Sequence, residues 1–329
     1  MPKVVRFHVL GGPENLKLED QPSQEPGEGE VRLRVQAVGL NRAEALYMRG
    51  YYFEKPQLPS RLGFEAAGVV EGVGPGVDRG LIGKQVSTTP GLSQNQYGVL
   101  GEEAIVPASS IAEYPPQLSP EQGASIWMQY MTAWGALVYL GKVRAGDAVV
   151  IPAASSSVGL AAIQIVNDAG GVSIAATRTT KKRQELMDLG ANHVIATEEE
   201  DLPARVKEIT GGGGARLIFD PVGGPYVATL AEAAASGGTI FEYGGLSMQP
   251  TPFPAIPAMT KALSLGGYSL REIRNQPALI GEAKKYVYER LQKGRFTPKI
   301  ARTFPLVQAG AAYQYLESNA QVGKVVITV

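Results

Sequence analysis

Hydrophobic and polar residues alternate with two periods along this chain, and the change of period divides it. From about Lys3 to Pro107, the stretches KVVRFHVL, LKLED, EVRLRVQAVGLN, AAGVVEGVG, KQVSTT and EEAIVP are separated by Gly/Pro turns. That pattern predicts a small all-β, barrel-like domain. Between the strands lie NRAEALYMRGYY and the proline-bounded FEKPQLPSRLGFE, read as the longest irregular region of this half, where function tends to collect. From Ser119 the texture changes. Pro120 to Ala124 opens a helical run through Met131, Leu137 and Leu140, which places the domain boundary near Ser119 to Gly123.

The stretch Asp147 to Lys182 organises the second half. Val149, Val150 and Ile151 form the unbroken apolar run of a parallel strand covered on both faces. The turn AASSSVG follows. Leu160, Ile163, Gln164 and Asn167 then recur at helical spacing among small alanines, Gly170-Gly171 ends the helix, and Val172, Ile174 and Ala175 begin a second strand. The whole reads as one βαβ unit of the dinucleotide-binding kind. The alternation continues as helix KRQELMDLGA, strand HVIAT, helix LPARVKEITGGG, strand RLIFDPVGG, helix YVATLAEAAAS and strand GTIFEYGG, with ALSLGGYSL as a sixth strand. Strands joined by crossover helices predict an open, doubly wound α/β sheet. The helix ALIGEAKKYVYERLQKG and the segments KIARTFPL and GKVVITV are expected to return to the β domain and make it discontinuous.

The turn departs from GxGxxG, with Ser155, Ser156 and Ser157 where glycines commonly stand and only Gly159 retained. Small residues still let backbone N–H groups approach a pyrophosphate at the helix start. The end of the second strand decides which dinucleotide. It reads Thr177-Arg178-Thr179-Thr180-Lys181-Lys182-Arg183, with no acid before Glu185 to take a ribose 2′-hydroxyl. A guanidinium and an ammonium there match a 2′-phosphate, so NADPH is expected over NADH.

Composition narrows the chemistry. The 329 residues carry 31 Lys+Arg against 31 Asp+Glu, so nothing favours nucleic acid or an anionic membrane surface. Cysteine is absent and only His8 and His193 supply imidazole, which removes thiolate zinc sites. The apolar runs fall short of a membrane span and the first residues lack a signal-peptide core, so the expectation is a cytoplasmic protein.

Several short motifs, taken together and in this order, resemble one family. VQAVGLNRAEALYMRGYY, LPSRLGFEAAGVVEGVGPGV, MQYMTAWGALV, VVIPAASSSVGLAAIQI, LGANHVIAT, LIFDPVGG and LESNAQVGKVVITV make the chain similar to the zinc-free quinone oxidoreductases and enone reductases of the medium-chain dehydrogenase/reductase superfamily. The resemblance implies a GroES-like catalytic domain over 1–122 and 270–329 and a Rossmann domain over 123–269. Zinc-containing relatives place Cys and His in the segments where this chain has Leu40-Asn41 and Phe64-Glu65, so no metal is expected. The implied reaction is direct hydride transfer from NADPH to a quinone or an α,β-unsaturated carbonyl.

The resemblance also assigns residues. Asn41 matches an asparagine beside the nicotinamide ribose and the substrate. Tyr52 matches a tyrosine whose phenol donates to an enolate, with Tyr51 competing for that role. Thr132 and Gln129 fall on the nicotinamide side, and Ser157, Val158 and Gly159 on the pyrophosphate. Thr177, Arg178 and Lys182 fall on the 2′-phosphate, and Thr197 on the adenine. Tyr243 and Gly244 flank the nicotinamide ribose, and Asn319 reaches the cofactor from the C-terminal segment. Two other readings stand beside this one: an enoyl-thioester reductase, kept open by Arg42, Arg49 and Arg61, and a non-catalytic NADPH-binding protein. A homodimer through the edge strand near Ala262 to Tyr268 is expected, because an unpaired apolar edge invites its own copy.

Overall fold

The computed structural model describes all residues, 1–329. The chain forms two compact units, Met1–Met128 with Pro298–Val329, and Gln129–Thr297.

The first unit is built on a seven-stranded sheet. Its strands run Ile300–Pro305, Lys324–Thr328, Glu30–Gly39, Glu65–Val73, Gln85–Thr88 and Ile111–Glu113, and Glu103–Pro107 also pairs with Glu30–Gly39. A three-stranded sheet of Leu16–Asp20, Lys3–Phe7 and Ser60–Arg61 completes the β structure. The strand Glu30–Gly39 shows why the pattern folds this way: Val31, Leu33 and Val35 are buried, and Arg34 between them is exposed. Phe7, Leu33, Leu62, Val106, Tyr313 and Ile327 lie in one continuous core.

The second unit is a six-stranded parallel sheet in the order His193–Ala196, Val172–Thr177, Ala148–Ile151, Ala215–Asp220, Ala234–Glu242, Ser264–Gly267. Val149, Val150 and Ile151 are fully buried, as a central strand covered on both faces requires. The order reverses between Ala148–Ile151 and Ala215–Asp220. That is the topological switch point, where ligands of such sheets bind beyond the carboxyl ends of the strands. No helix of the chain is long and apolar enough to cross a membrane.

Three expectations are corrected. NRAEALYMRGYY is not irregular: Arg42–Met48 is a helix started by Asn41. Its inward face includes the fully buried Glu44, and a charge among the apolar positions hides the helical period. The run from Ser119 is also not one helix. Ser119 and Gln122 cap a single turn, Pro120–Gly123, before the helix Trp127–Trp134 and the wider turns of Gly135–Leu140.

The third correction concerns the joins. They fall after Met128 and Thr297, against the expected 122 and 269, because the helix Pro277–Gln292 belongs to the second unit. Leu279, Ala283, Val287 and Leu291 form its buried face. Beyond it, Phe296 stacks on Tyr130 with ring centroids 5.0 Å apart. Arg290 bonds Asp168 at 2.6 Å, and Arg295 bonds the same carboxylate. Periodicity alone does not say which unit an amphipathic helix joins. Here Asp168 and Tyr130 decide it.

Candidate active site

In the second unit, the turn after Ala148–Ile151 carries Ser155, Ser156 and Ser157. Ser156 caps the helix Ser157–Asp168, its hydroxyl accepting from Gly159 N at 3.0 Å. Gly159 is irreplaceable on packing grounds, since a Cβ there would lie 2.6 Å from Ala154 O. Because Ser156 takes the Gly159 amide, the helix start presents Ser157 and Val158 as its remaining N–H donors.

Lys182 donates to Ser155 Oγ at 3.0 Å, so the basic segment is bound to the serine turn. Burial lowers the Lys182 ammonium, and neighbouring Arg178 adds to that, while Glu185 opposes it. Of the nearby cations, Arg183 is consumed by Glu200. Arg178 is exposed and in no ion pair. Thr197 joins Thr177, its N–H donating to Thr177 O at 2.8 Å.

Tyr243 follows the strand Ala234–Glu242 and stacks on Phe219, with ring centroids 4.0 Å apart. Burial pushes its phenol up, the charge of Asp220 adds to this, and a hydrogen bond with Ser156 opposes it. Gly244 allows close approach, since a Cβ would meet Pro221 O at 2.7 Å. Gln129, on the helix Trp127–Trp134 with Thr132, is buried, and its Oε1 has no hydrogen-bond partner. A buried acceptor without a donor marks a place for a ligand N–H or O–H.

Asp220 and Glu242 were not anticipated. They end adjacent strands in register. Asp220 accepts from the amides of Val222 and Gly223 at 2.8 and 2.9 Å, yet burial still raises its carboxyl. Glu242 is pushed up to about 7, first by burial and then by the charge of Asp220. The sequence signal was available: both are acids at the carboxyl ends of apolar strands of an open parallel sheet.

In the first unit, Asn41 sits in a buried polar network. Its Nδ2 donates to Gly39 O at 3.1 Å and Glu44 Oε1 at 3.3 Å, and its Oδ1 accepts from Lys324 Nζ at 2.7 Å. Lys324 also pairs with Glu65 at 2.7 Å, both side chains being 1% exposed. Glu44 is fully used, accepting from Asn41 N, Phe64 N and the Tyr313 hydroxyl, the last at 2.6 Å. Burial raises the Glu44 carboxyl against these bonds. Lys324, Glu65, Glu44 and Tyr313 were all missed. A Lys and a Glu that each open an otherwise apolar strand were the available sign.

The two candidate tyrosines differ in setting. Tyr52 is partly buried against the core, its ring 5.1 Å from that of Phe53 and 5.8 Å from that of Phe64, whereas Tyr51 is 67% exposed. Asn319 adopts a left-handed conformation, φ 59°, and its Oδ1 accepts from Arg42 at 2.5 Å.

Comparison with known proteins agrees with this architecture. Residues 157–285 match the family described as zinc-binding dehydrogenase, and residues 27–116 the alcohol dehydrogenase GroES-like domain. Quinone oxidoreductase 1 of Escherichia coli is 30% identical, over 97% of each chain. The 2-haloacrylate reductase of a Burkholderia species is 29% identical over 98% of this chain and 97% of its own. The crystal structure of Escherichia coli quinone oxidoreductase complexed with NADPH superposes with a TM-score of 0.91 at 28% identity, covering 99% of this chain and all of that one.

The zinc of the first description does not fit here. Leu40 and Phe64 are apolar and buried, Glu65 is held by Lys324, and the chain has no cysteine. Full-length identity at this level, with both domains matched in order, means that the chain belongs to the medium-chain dehydrogenase/reductase superfamily, in its zinc-free quinone oxidoreductase branch.

Proposed function

We propose that this protein is a zinc-independent NADPH-dependent reductase of conjugated carbonyl compounds, quinones or enones. The observation that carries the reading is the serine turn at the switch point, where Ser156, Gly159 and the Ser155–Lys182 bond prepare a helix N-terminus for a dinucleotide. Ser157 and Val158 donate to its pyrophosphate. Arg178, exposed and uncommitted, binds the 2′-phosphate with Lys182 and Thr177. The buried orphan oxygen of Gln129, with Thr132, meets the carboxamide end. Thr197, Tyr243 and Gly244 add further cofactor contacts in the second unit, and Asn319 is a cofactor contact expected from the resemblance alone.

When bound, NADPH supplies the hydride. Tyr52 protonates or stabilises the oxygen of the acceptor as charge develops there, and its packing against Phe53 and Phe64 holds the ring. Leu40-Asn41 and Phe64-Glu65, in the segments where zinc relatives carry cysteine and histidine, supply no ligands for a zinc that would polarise an isolated carbonyl. A conjugated acceptor spreads the charge and needs less stabilisation. The names of the two relatives, a quinone reductase and a haloacrylate reductase, share an alkene conjugated to an oxygen-bearing carbon.

The protein is expected to be a homodimer. Ser264–Gly267 is the last strand of its sheet, and Phe253, Ile256 and Met259, shortly before it in the chain, are each more than two-thirds exposed. Light scattering at micromolar concentration should give about twice the 34.9 kDa chain mass. A monomer refutes that arrangement. The function itself is tested by NADPH oxidation with a panel of quinones, enones and enoyl-thioesters. Turnover of the first two supports the reading, and turnover of enoyl-thioesters alone replaces it with the thioester reductase.

A further inference from the structure

Residues 51–59, which carry Tyr52, form neither helix nor strand, yet they are held at several points. The holder is the short helix Gln94–Tyr97. The Asn95 amide is spent entirely here. Its Oδ1 accepts from the Tyr47 hydroxyl and from Gln57 N, each at 2.7 Å, and its Nδ2 donates to Glu54 Oε1 at 3.1 Å and Lys55 O at 2.9 Å. Gln57 N only donates and Lys55 O only accepts, so the amide has one orientation. Glu54 in turn accepts from Gln94 N at 3.0 Å and from the Ser93 hydroxyl, occupying an N–H that the helix start leaves open. The same helix holds what Tyr52 leans on: Gln94 Oε1 accepts from Gly63 N at 3.0 Å, next to Phe64, whose ring lies 5.8 Å from that of Tyr52. Burial does not explain the clamp, since Tyr51 and Phe53 on either side of Tyr52 stay 67% and 70% exposed. Hydrogen bonds fix the segment, and every group in the set belongs to the first unit.

We propose that Asn95 and Glu54 are positioning residues for the Tyr52 phenol, fixing the segment that carries it while Gln94 fixes the wall behind it. This rests on the reading of Tyr52 as the group that protonates or stabilises the acceptor's oxygen. Without the clamp the phenol is present but misplaced, and misplacement of a reacting group lowers the rate of the chemical step.

The test uses the full-length protein with NADPH and an enone, measuring kcat and KM, with NADPH affinity by fluorescence titration and melting temperature alongside. Asn95→Ala should lower kcat by about 10–10²-fold and leave the affinity for NADPH unchanged. In a Tyr52→Phe background the same substitution should change kcat by no more than about twofold, because Asn95 acts only through Tyr52. Equal losses in the two backgrounds overturn the positioning role. If Asn95→Ala does not fold, a charge swap decides. Asn95→Asp keeps the acceptor for Tyr47 and Gln57 but sets a second carboxylate against Glu54, and should also slow enone reduction. Adding Glu54→Gln gives that pair a donor again and should restore kcat by about threefold or more, and no recovery overturns the inference. A Tyr52→Phe variant that reduces enones at the wild-type rate overturns the reading of Tyr52 and this inference with it. A slow Tyr52→Phe beside an Asn95→Ala of wild-type kcat overturns this inference alone.

Discussion

Replacing Gly39 by alanine probes the buried lysine without touching a charged group. The new Cβ would sit 1.8 Å from Ala124 O and 2.7 Å from Lys324 Cε, whereas real Cβ contacts stay beyond 3.0 Å. The first neighbour is backbone and cannot rotate away, so the strand Glu30–Gly39 or the turn Pro120–Gly123 has to move. The second is the stem of a lysine whose head is fixed by Glu65 and Asn41. Overpacking of this kind costs about 1–3 kcal/mol, and the backbone clash puts Gly39→Ala at the upper end. For a unit of this size each kcal/mol lowers the melting temperature by about 2–4 °C, so a loss of about 4–12 °C is expected by differential scanning calorimetry. Gly281→Ala is the control. It lies inside the helix Pro277–Gln292 with open space around its Cα, and should gain about 0.5–1 kcal/mol from helix propensity. Gly39→Ala melting with the wild type would refute the packing argument.

Other expectations follow from the same geometry. Glu242 holds a proton in the folded chain up to about 7, against 4.5 for an unburied carboxyl. Its contribution to stability is therefore complete below pH 4.5 and is lost as the pH rises through 7, so urea midpoints should fall over that window and Glu242→Gln should flatten the fall. An unchanged slope would show that Glu242 ionises freely. Arg178→Ala should reduce the preference for NADPH over NADH by about ten- to a hundredfold, the worth of a charge-assisted contact to the 2′-phosphate. Equal affinities of the wild type for both cofactors would remove the basis for that clamp. Tyr52→Phe should retain NADPH binding while enone reduction slows by about 10²–10⁴-fold, and quinones, as stronger electrophiles, should suffer less. Wild-type enone rates in that variant would make Tyr52 a packing residue.

The parallel sheet was readable because Val149 to Ile151 and the strands after it are continuous apolar runs spaced by helices, a pattern with few alternatives. Lys182 and Arg178 were readable from chemistry, although the bond from Lys182 to Ser155 was not, since it joins residues 27 apart across a turn. The polar network around Asn41 was hidden for a different reason. Its members come from positions 44, 65, 313 and 324, and each looks alone like a stray charge or an ordinary tyrosine until the topology assembles them. The helix Arg42–Met48 was masked by one of those members, Glu44, whose inward carboxylate breaks the apolar period. The helix Pro277–Gln292 was recognised but assigned to the wrong unit, because Asp168 and Tyr130, which hold its end, lie more than 100 residues earlier.

In the proposed reaction NADPH delivers its hydride to the β carbon of a conjugated carbonyl, with no metal taking part. It is tested most directly by reducing an enone with NADPH deuterated on the transferring face and locating the label by NMR. A saturated ketone with deuterium on the β carbon is expected, at a rate unaffected by chelators. Deuterium on the carbinol carbon of an allylic alcohol would contradict it.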